Sequence, residues 1–437
     1  MKVQKFGGTS VGSPQRIREV ASLITSSPGK NIVVLSAMSG TTNSLLEISA
    51  AIEKGDKNLA EENIRNLEKK YQDVVEELFQ TPDAKKEISK IIETIFSDIR
   101  SVAQKDYSER TEKEIVAKGE IISTNLMHRH LLEKGIDATL ISALDFMRTD
   151  QNGEPDFDYI KENLKSQLDK VGDKNLIITQ GFICTNPKGE VDNLLRGGSD
   201  YTASIIGAAV NAEEVDIWTD IDGMHNNDPR FVDETSPVHN LHFEEAAELA
   251  YFGAKILHPT CILPAKVNNI PVRLLNTMQP QAEGTLINNE LEHGSIKAVA
   301  AKDNITAIKI KSSRMLLAYG FLKKVFEIFE NYRTPIDMIA TSEVGVSLTI
   351  DDDRHLPEIL KELEELGTVT IDTDMVIICV VGDLEWQNKG FEARALDALR
   401  NIPVRMISYG GSNYNISFLI DKANKTKALR LLSYHLF

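Results

Sequence analysis

The feature that most constrains this chain is an alternation. Over its first 300 residues, short apolar runs at 2–6, 31–36, 138–142, 176–180, 214–219 and 271–275 are separated by stretches of helical periodicity. Several of these runs are almost continuously apolar, as strands covered on both faces are. Strand and helix in alternation predict an α/β domain with a largely parallel sheet. Such sheets bind ligands beyond the C-terminal ends of their strands. Polar motifs stand at three of those ends, at 36–43, 180–186 and 219–230.

The first strand runs into a Gly-rich turn, Lys-Phe-Gly-Gly-Thr-Ser-Val-Gly at 5–12. A helix then starts, with Ser13 as a cap, Pro14 in the first turn, and Ile17, Val20, Ala21 and Ile24 on one apolar face. Glycines let backbone N–H groups approach an anion, and a helix start adds positive partial charge. The turn is not a Walker A loop, because Ser13-Pro14 stands where Lys-Ser/Thr belongs. Its cation is Lys5, at the strand end. An ordinary strand-to-helix turn has the same glycine pattern, so the motif alone leaves both readings open.

Residues 56–106 are charged and helical in pattern and read as an inserted helical scaffold with a solvated face. A helix is expected over 112–133, with Val116, Met127 and Leu131 on one stripe. Glu120 falls on that stripe. A carboxylate on an apolar face needs a partner. Spacing favours a structural Arg or Lys over a substrate ammonium.

From residue 304 the spacing tightens. Strands are expected at 305–311, 315–318, 336–341, 344–350, 368–372, 375–381, 404–409 and 415–420, with helices near 320–331, 355–366, 388–399 and 424–434. Eight strands and four helices make two βαββαβ units. The expected division is 1–297 for the first domain, 313–373 for one small unit, and 298–312 with 374–437 for the other. The first small unit is thus inserted in the second, which strand 305–311 completes. At 437 residues the chain has room for roughly three domains of about 150 residues.

Net charge of −16 argues against nucleic acid or an acidic membrane as partner. Cys184, Cys261 and Cys379 are far apart and form no C-x-x-C or Cys/His set, so neither a disulfide framework nor a structural zinc is expected. No 18-residue apolar run and no hydrophobic leader is present, which makes a reducing cytoplasm the expected location.

Further motifs carry candidate chemistry. Arg196-Gly197-Gly198-Ser199-Asp200 opens a helix over 200–210; Arg196 suits a carboxylate or phosphate, while Ser199 as N-cap is the structural alternative. Thr219-Asp220-Ile221-Asp222-Gly223 ends a strand, and Asp228-Pro229-Arg230 follows; metal or ribose binding and plain turn chemistry both fit. Lys255 follows Gly253 in a helix interruption that runs to His258-Pro259. No Ser-His-Asp or Cys-His set is suggested by local spacing.

Together these blocks resemble the aspartate kinases, which phosphorylate the side-chain carboxylate of aspartate with ATP. The resemblance spans nearly the whole chain: the 5–11 turn, Leu35-Ser36-Ala37, Thr42-Asn43, Gly119-Glu120, Gln180-Gly181-Phe182-Ile183, 196–203, Trp218-Thr219-Asp220, Asp228-Pro229-Arg230 and 252–259. It implies an amino-acid-kinase fold followed by paired ACT domains. No Rossmann segment follows those domains, so a fused homoserine dehydrogenase is not expected. By resemblance, Lys5 and Asp200 are catalytic. Ser36, Thr42, Glu120, Phe182, Arg196 and Ser199 bind aspartate. Lys5, Gly7, Gly8, Ser10, Thr219, Asp220, His225, Arg230, Lys255 and Ile256 serve the nucleotide, with Mg²⁺ carried on ATP phosphates. Met315, Gly320, Phe321, Leu322, Asp337, Ser342 and Glu343 look most like the lysine-sensitive branch, although Leu317 and Ala318 replace polar residues typical of it. Leu195, Cys184 and His225 also depart from the family pattern. The implied partners are aspartate, ATP, an amino-acid effector (lysine first) and a second copy of the chain, as a homodimer or a dimer of dimers through the ACT domains. Another amino-acid-kinase relative with a different acceptor, or an ACT-based sensor on an inactive kinase scaffold, are the alternatives.

Overall fold

The computed structural model describes residues 1–194, 197–253, 257–312 and 319–437. The chain divides into two bodies, Met1–Gly223 with Leu257–Asn289, and Met224–Ile256 with Glu290–Phe437.

The first body begins with β1 (Lys2–Phe6), α1 (Pro14–Ser26), β2 (Asn31–Leu35) and α2 (Thr41–Glu53). Four helices follow: α3 (Lys57–Leu78), α4 (Pro82–Ala103), α5 (Glu109–Val116) and α6 (Lys118–Glu133). Then come β3 (Ala138–Leu140), α7 (Phe157–Val171), β4 (Leu176–Gln180), a small hairpin of β5 (Ile183–Thr185) and β6 (Val191–Asn193), α8 (Gly198–Val210) and β7 (Val215–Thr219). The chain passes into the second body for β8 (Asn240–His242) and α9 (Phe243–Tyr251), and returns for α10 (Leu263–Val267), β9 (Val272–Asn276) and β10 (Thr285–Asn288).

Within the first body the strands run in the order β3-β4-β2-β1-β7-β9-β10. All pairs are parallel except β9 with β10. The parallel sheet expected from the alternation is present, and β2 and β4 are buried at every position. Phe6 pairs with Leu35 and Trp218, and Leu35 pairs with Gln180. The turns after β1, β2, β4 and β7 therefore leave the sheet side by side along one edge.

The 56–106 region is two helices, but it is more than a solvated scaffold. Ile64, Leu67, Tyr71, Val74, Ile88, Ile92, Phe96 and Ile99 join the core that holds Phe6, Leu35 and Met127. At the turn between α3 and α4, Glu133 accepts the N–H groups of Gln80 and Thr81 at 2.8 and 2.7 Å, and Thr81 caps α4. The helix expected over 112–133 is broken into α5 and α6 at Ala117.

The second body holds a six-stranded sheet. Its strands are β11 (Ile296–Lys311), β12 (Ile339–Ser342), β13 (Gly345–Ile350), β14 (Thr368–Gly382), β15 (Val404–Ser408) and β16 (Asn415–Asp421), in the order β12-β13-β11-β14-β16-β15. Its helices are α11 (Phe321–Asn331), α12 (Leu356–Glu364), α13 (Phe391–Ala398) and α14 (Lys425–Leu436). Two apolar clusters cover its halves, one around Ile308, Val325, Leu348 and Ile359, the other around Val376, Phe418, Ala428 and Leu432.

One expectation is corrected here. Strand 305–311 pairs with β13 and with residues 368–372, so it lies in the first small unit. The second unit is completed by 296–302, which pairs with 377–382. A single long strand thus serves both units, and β14 does the same from the other side. The junction shows in the backbone: Asn304 and Asp374 have φ of +60° and +54°, and the register shifts there as at a bulge. Residues 296–302 read weakly as a strand because three of the seven are alanine, which is depleted in sheets. The strand expected at 315–318 lies outside the described residues.

Candidate active site

The turns along the sheet edge enclose a cleft of about 400 Å³, lined by Lys5, Gly8, residues 36–40, Thr42, Asn43, Glu120, Phe182, Gly197, Gly198 and Ser199. All of it belongs to the first body.

Lys5 is second to last in β1 and only 9% exposed. Its ammonium meets Asp200 Oδ1 at 2.7 Å. Asp200 sits in the first turn of α8, where a carboxylate also complements the helix start. A Cβ on Gly8 would stand 2.8 Å from the Ala37 carbonyl oxygen, so a glycine is what lets the turns after β1 and β2 touch. Ser39 N–H donates to Gly8 O across that contact.

Glu120 is the decisive side chain. Gly119 lets α6 approach the turn after β2, since a Cβ there would meet the Ala37 methyl at 2.9 Å. Glu120 is 4% exposed, and its Oε1 accepts the Ala37 N–H at 3.2 Å. Its Oε2 has no partner among the described residues. The favoured structural Arg or Lys partner is therefore not found among them. Burial pushes the carboxyl up to about 7, against the pull of the Ala37 N–H. A buried carboxylate with one oxygen unsatisfied, in the wall of a cleft, is suited to a cation brought in by a ligand.

The opposite wall is the start of α8. Its N-cap is Gly197, at φ +66°, and the helix begins at Gly198; Ser199 is not the cap. The Ser199 hydroxyl accepts from the Ser36 hydroxyl at 2.8 Å, while Ser36 O accepts from Ser123. Phe182 holds a left-handed backbone at φ +66°, and its N–H donates to Thr202 Oγ1 at 2.9 Å. A non-glycine residue in that region marks a strained position, which the surrounding packing must enforce. Thr42 lies in the first turn of α2, whose N-cap Gly40 provides no side-chain cap. Arg196 lies outside the described residues.

Ser10 lies in the turn after β1. It is fully buried, with its hydroxyl 2.7 Å from that of Thr277. Thr277 donates in turn to Thr219 O at 3.0 Å, so the pair fastens the first turn to the end of β7. Thr277 had no sequence signal. Gly7 abuts Lys5, with its N–H on Trp218 O at 3.2 Å. Thr219 ends β7 and Asp220 follows it, the two joined by a side-chain hydrogen bond of 3.2 Å. His225 and Arg230 belong to the second body: the His225 ring contacts Thr235 at 2.8 Å, and exposed Arg230 forms a two-pronged pair with Asp228. Lys255 and Ile256 lie outside the described residues.

Gln180, at the end of β4, is spent on structure, holding Ala143 N–H and the Thr124 hydroxyl. Cys184 and Cys261 are buried, and burial pushes both thiols up to about 12, which makes them poor nucleophiles. Among the described residues no group of three His, Cys, Asp or Glu side chains could hold a metal by itself.

In the second body, Gly320 is the N-cap of α11, Phe321 is buried and Leu322 is exposed. Ser342 ends β12, next to exposed Glu343 in the hairpin, and Ser342 Oγ donates to Gly345 O at 3.4 Å. Asp337 lies apart from that hairpin's tip and bonds to Lys302 and Tyr251. Met315 lies outside the described residues.

Residues 1–276 match the amino acid kinase family model, and 378–436 match an ACT domain model. The whole chain aligns with 99% of the lysine-sensitive aspartokinase 3 of Escherichia coli at 34% identity. This chain belongs to the aspartokinase family. Aspartokinase 1 of Arabidopsis thaliana is 35% identical over the whole chain and 80% of its own length. Among solved aspartokinases, the E. coli enzyme in complex with aspartate and ADP superposes with a TM-score of 0.85 at 33% identity, covering both chains in full. The Clostridium acetobutylicum enzyme gives a TM-score of 0.88 at 26% identity, again over both chains in full. The amino-acid-kinase fold followed by ACT domains is therefore the aspartokinase architecture. No described helix is long and apolar enough to cross a membrane.

Proposed function

We propose that this chain transfers the γ-phosphoryl group of ATP to the side-chain carboxylate of L-aspartate, giving 4-phospho-L-aspartate and ADP. This is the first step toward lysine, threonine and methionine. The observation that carries the reading is Glu120, a buried carboxylate with an unsatisfied oxygen, in a cleft shared with the Lys5–Asp200 pair. Glu120 receives the ammonium of aspartate. Arg196 takes its α-carboxylate. Ser36, Thr42, Phe182 and Ser199 shape the rest of the pocket.

The acceptor carboxylate, with a pKa of about 4, is already ionised near neutral pH and needs no general base. The barrier lies in bringing one anion to another, so positioning and charge neutralisation carry the catalysis. Lys5 supplies a fixed cation at the transferring group. Asp200 holds Lys5 and takes no proton. Gly7 and Gly8 leave room for phosphate oxygens at the turn. Ser10 serves the same turn from behind, through Thr277. Kinship with the aspartokinases supports assigning Thr219, Asp220, His225, Arg230, Lys255 and Ile256 to the nucleotide. Asp200, the carboxylate paired with cleft-lining Lys5, is a hard oxygen donor that would suit Mg²⁺ carried on the nucleotide phosphates, where the ion would supply charge neutralisation. The enzyme works in the cytoplasm.

Feedback by lysine through the ACT units is supported by kinship with a lysine-sensitive aspartokinase and by a TM-score of 0.84 to the E. coli enzyme solved with lysine and aspartate. In this reading Met315, Gly320, Phe321, Leu322, Asp337, Ser342 and Glu343 surround the effector. A homodimer or dimer of dimers through the ACT units is supported by β12, an edge strand with three of its four residues exposed.

Hydroxylamine trapping tests the reaction. Purified protein with ATP, Mg²⁺ and aspartate gives aspartyl hydroxamate. Hydroxamate from another acid but none from aspartate overturns the reading.

A further inference from the structure

Lys302, Asp337, Asp351 and Tyr251 form a charge cluster inside the second body. Lys302 Nζ lies 2.6 Å from Asp337 Oδ1 and 2.9 Å from Asp351 Oδ2, and 4.3 Å from the centre of the Tyr251 ring. The Tyr251 hydroxyl donates to the same Asp337 Oδ1 at 2.8 Å. Two carboxylates share one ammonium, so these four side chains carry one excess negative charge. The Asp337 side chain is 0% exposed, and its Oδ2 has no partner among the described residues. Burial pushes its carboxyl upward despite the neighbouring ammonium. A sealed carboxylate with a spare oxygen and a net negative surround calls for a second cation.

The three bonds at Asp337 are unequal in what replaces them. Lys302 keeps Asp351 if it leaves Asp337. Tyr251 has Asp337 as its hydroxyl acceptor, and Tyr251 is the last residue of α9. Two residues later Gly253 lies against β11 at φ +123°, where a Cβ would meet Ala301 O at 2.2 Å. Ala301 adjoins Lys302 in sequence. The C-terminal end of α9 is thus fastened to one spot by two contacts, one rigid and one that depends on Asp337.

Resting on the proposal that an amino-acid effector binds at Asp337, we infer that Tyr251 reports its occupancy to α9. The effector ammonium takes Asp337, Lys302 falls back on Asp351, and the Tyr251 phenol loses its acceptor. The end of α9 then keeps its Gly253 contact with Ala301 but loses its tie to Asp337. Lys302 is accordingly an internal ammonium that competes with the effector.

The test uses the full-length enzyme and Tyr251→Phe, which removes one hydroxyl and keeps the ring under Lys302. Lysine binding is followed by calorimetry with and without saturating ADP, Mg²⁺ and aspartate, and inhibition by initial rates. Coupling between sites is reciprocal, so substrates weaken lysine binding in the wild type. Because the variant lacks the bond that lysine must break, it should bind lysine several-fold more tightly than the wild type and show a lower kcat before any lysine is added. Added lysine should inhibit it proportionately less, and substrates should change its lysine affinity less than in the wild type. Lys302→Met, lacking the competing ammonium, should bind lysine about tenfold more tightly than the wild type. Wild-type inhibition and coupling in Tyr251→Phe overturn the relay while leaving the effector reading intact. Loss of all lysine binding in that variant overturns it too, by making Tyr251 a ligand contact. A wild type that binds no lysine, threonine or methionine ends the effector reading and the relay with it.

Discussion

At the scale of single residues, the account rests on two charges in one cleft. Among the described residues Lys5 pairs with Asp200, and it lines the cleft beside Glu120. Lys5→Met should lower kcat by about 10³-fold, because a preorganised cation at the transferring group is worth several kcal/mol to the transition state. Circular dichroism should show the variant folded; near-wild-type turnover would remove Lys5 from the chemistry. Glu120 makes a pH prediction. Its carboxyl titrates near 7 in the free enzyme and binds an ammonium only when ionised. Therefore kcat/KM for aspartate should fall about tenfold per pH unit below 7, and this limb should vanish in Glu120→Gln. Stability runs the other way. A carboxyl raised in the folded state favours folding below its unfolded pKa of about 4.3, and that contribution is lost as pH rises through 7. Aspartate, by supplying the missing cation, should raise the melting temperature more at pH 8 than at pH 6; equal increments would contradict the pairing. The sequence placed Glu120 on an apolar stripe, but it could not decide what the carboxylate meets. That depends on Gly119 letting α6 reach the Ala37 N–H, a contact between residues more than eighty positions apart.

At the scale of elements, the site is built from helix starts held against strand ends. Gly181 is one such joint: a Cβ there would stand 2.4 Å from the Ser199 Cβ and Oγ. Gly181→Ala should push α8 away from β4 and raise KM for aspartate at least tenfold, with unfolding changed far less; an unchanged KM would show that the two can separate harmlessly. The α3–α4 pair is another joint, since buried Tyr71 meets the Thr41 hydroxyl at 2.7 Å in the first turn of α2. Tyr71→Phe leaves that hydroxyl without its partner and should cost about 1–3 kcal/mol in denaturant unfolding. Strand and helix alternation was legible because each buried strand announces itself locally. The role of the 56–106 pair was not, because its charged faces dominate composition while its apolar face has the spacing of any amphipathic helix. The assignment of 305–311 failed for a related reason: one strand shared by two units has no local mark except the left-handed residues Asn304 and Asp374.

At the scale of the molecule, 224–253 is the revealing segment. It reads as part of the kinase domain, and the family model spans it, yet it packs with the second body. Val299 N–H donates to Asn226 O, Asn227 reaches Leu429 O in α14, and Val232 sits in the cluster under α14. A chain truncated after Asn289 should therefore aggregate or lack activity, and should not become an unregulated kinase; a soluble, active fragment would contradict this. The most direct measurement is a cycle between enzyme and substrate: kcat/KM for aspartate and for succinate, which lacks only the amino group, in wild type and in Glu120→Gln. If Glu120 reads the substrate ammonium, the wild type prefers aspartate by roughly 30- to 150-fold, the 2–3 kcal/mol of a buried charge-assisted pair, and Glu120→Gln abolishes the preference. An undiminished preference in Glu120→Gln would contradict the account.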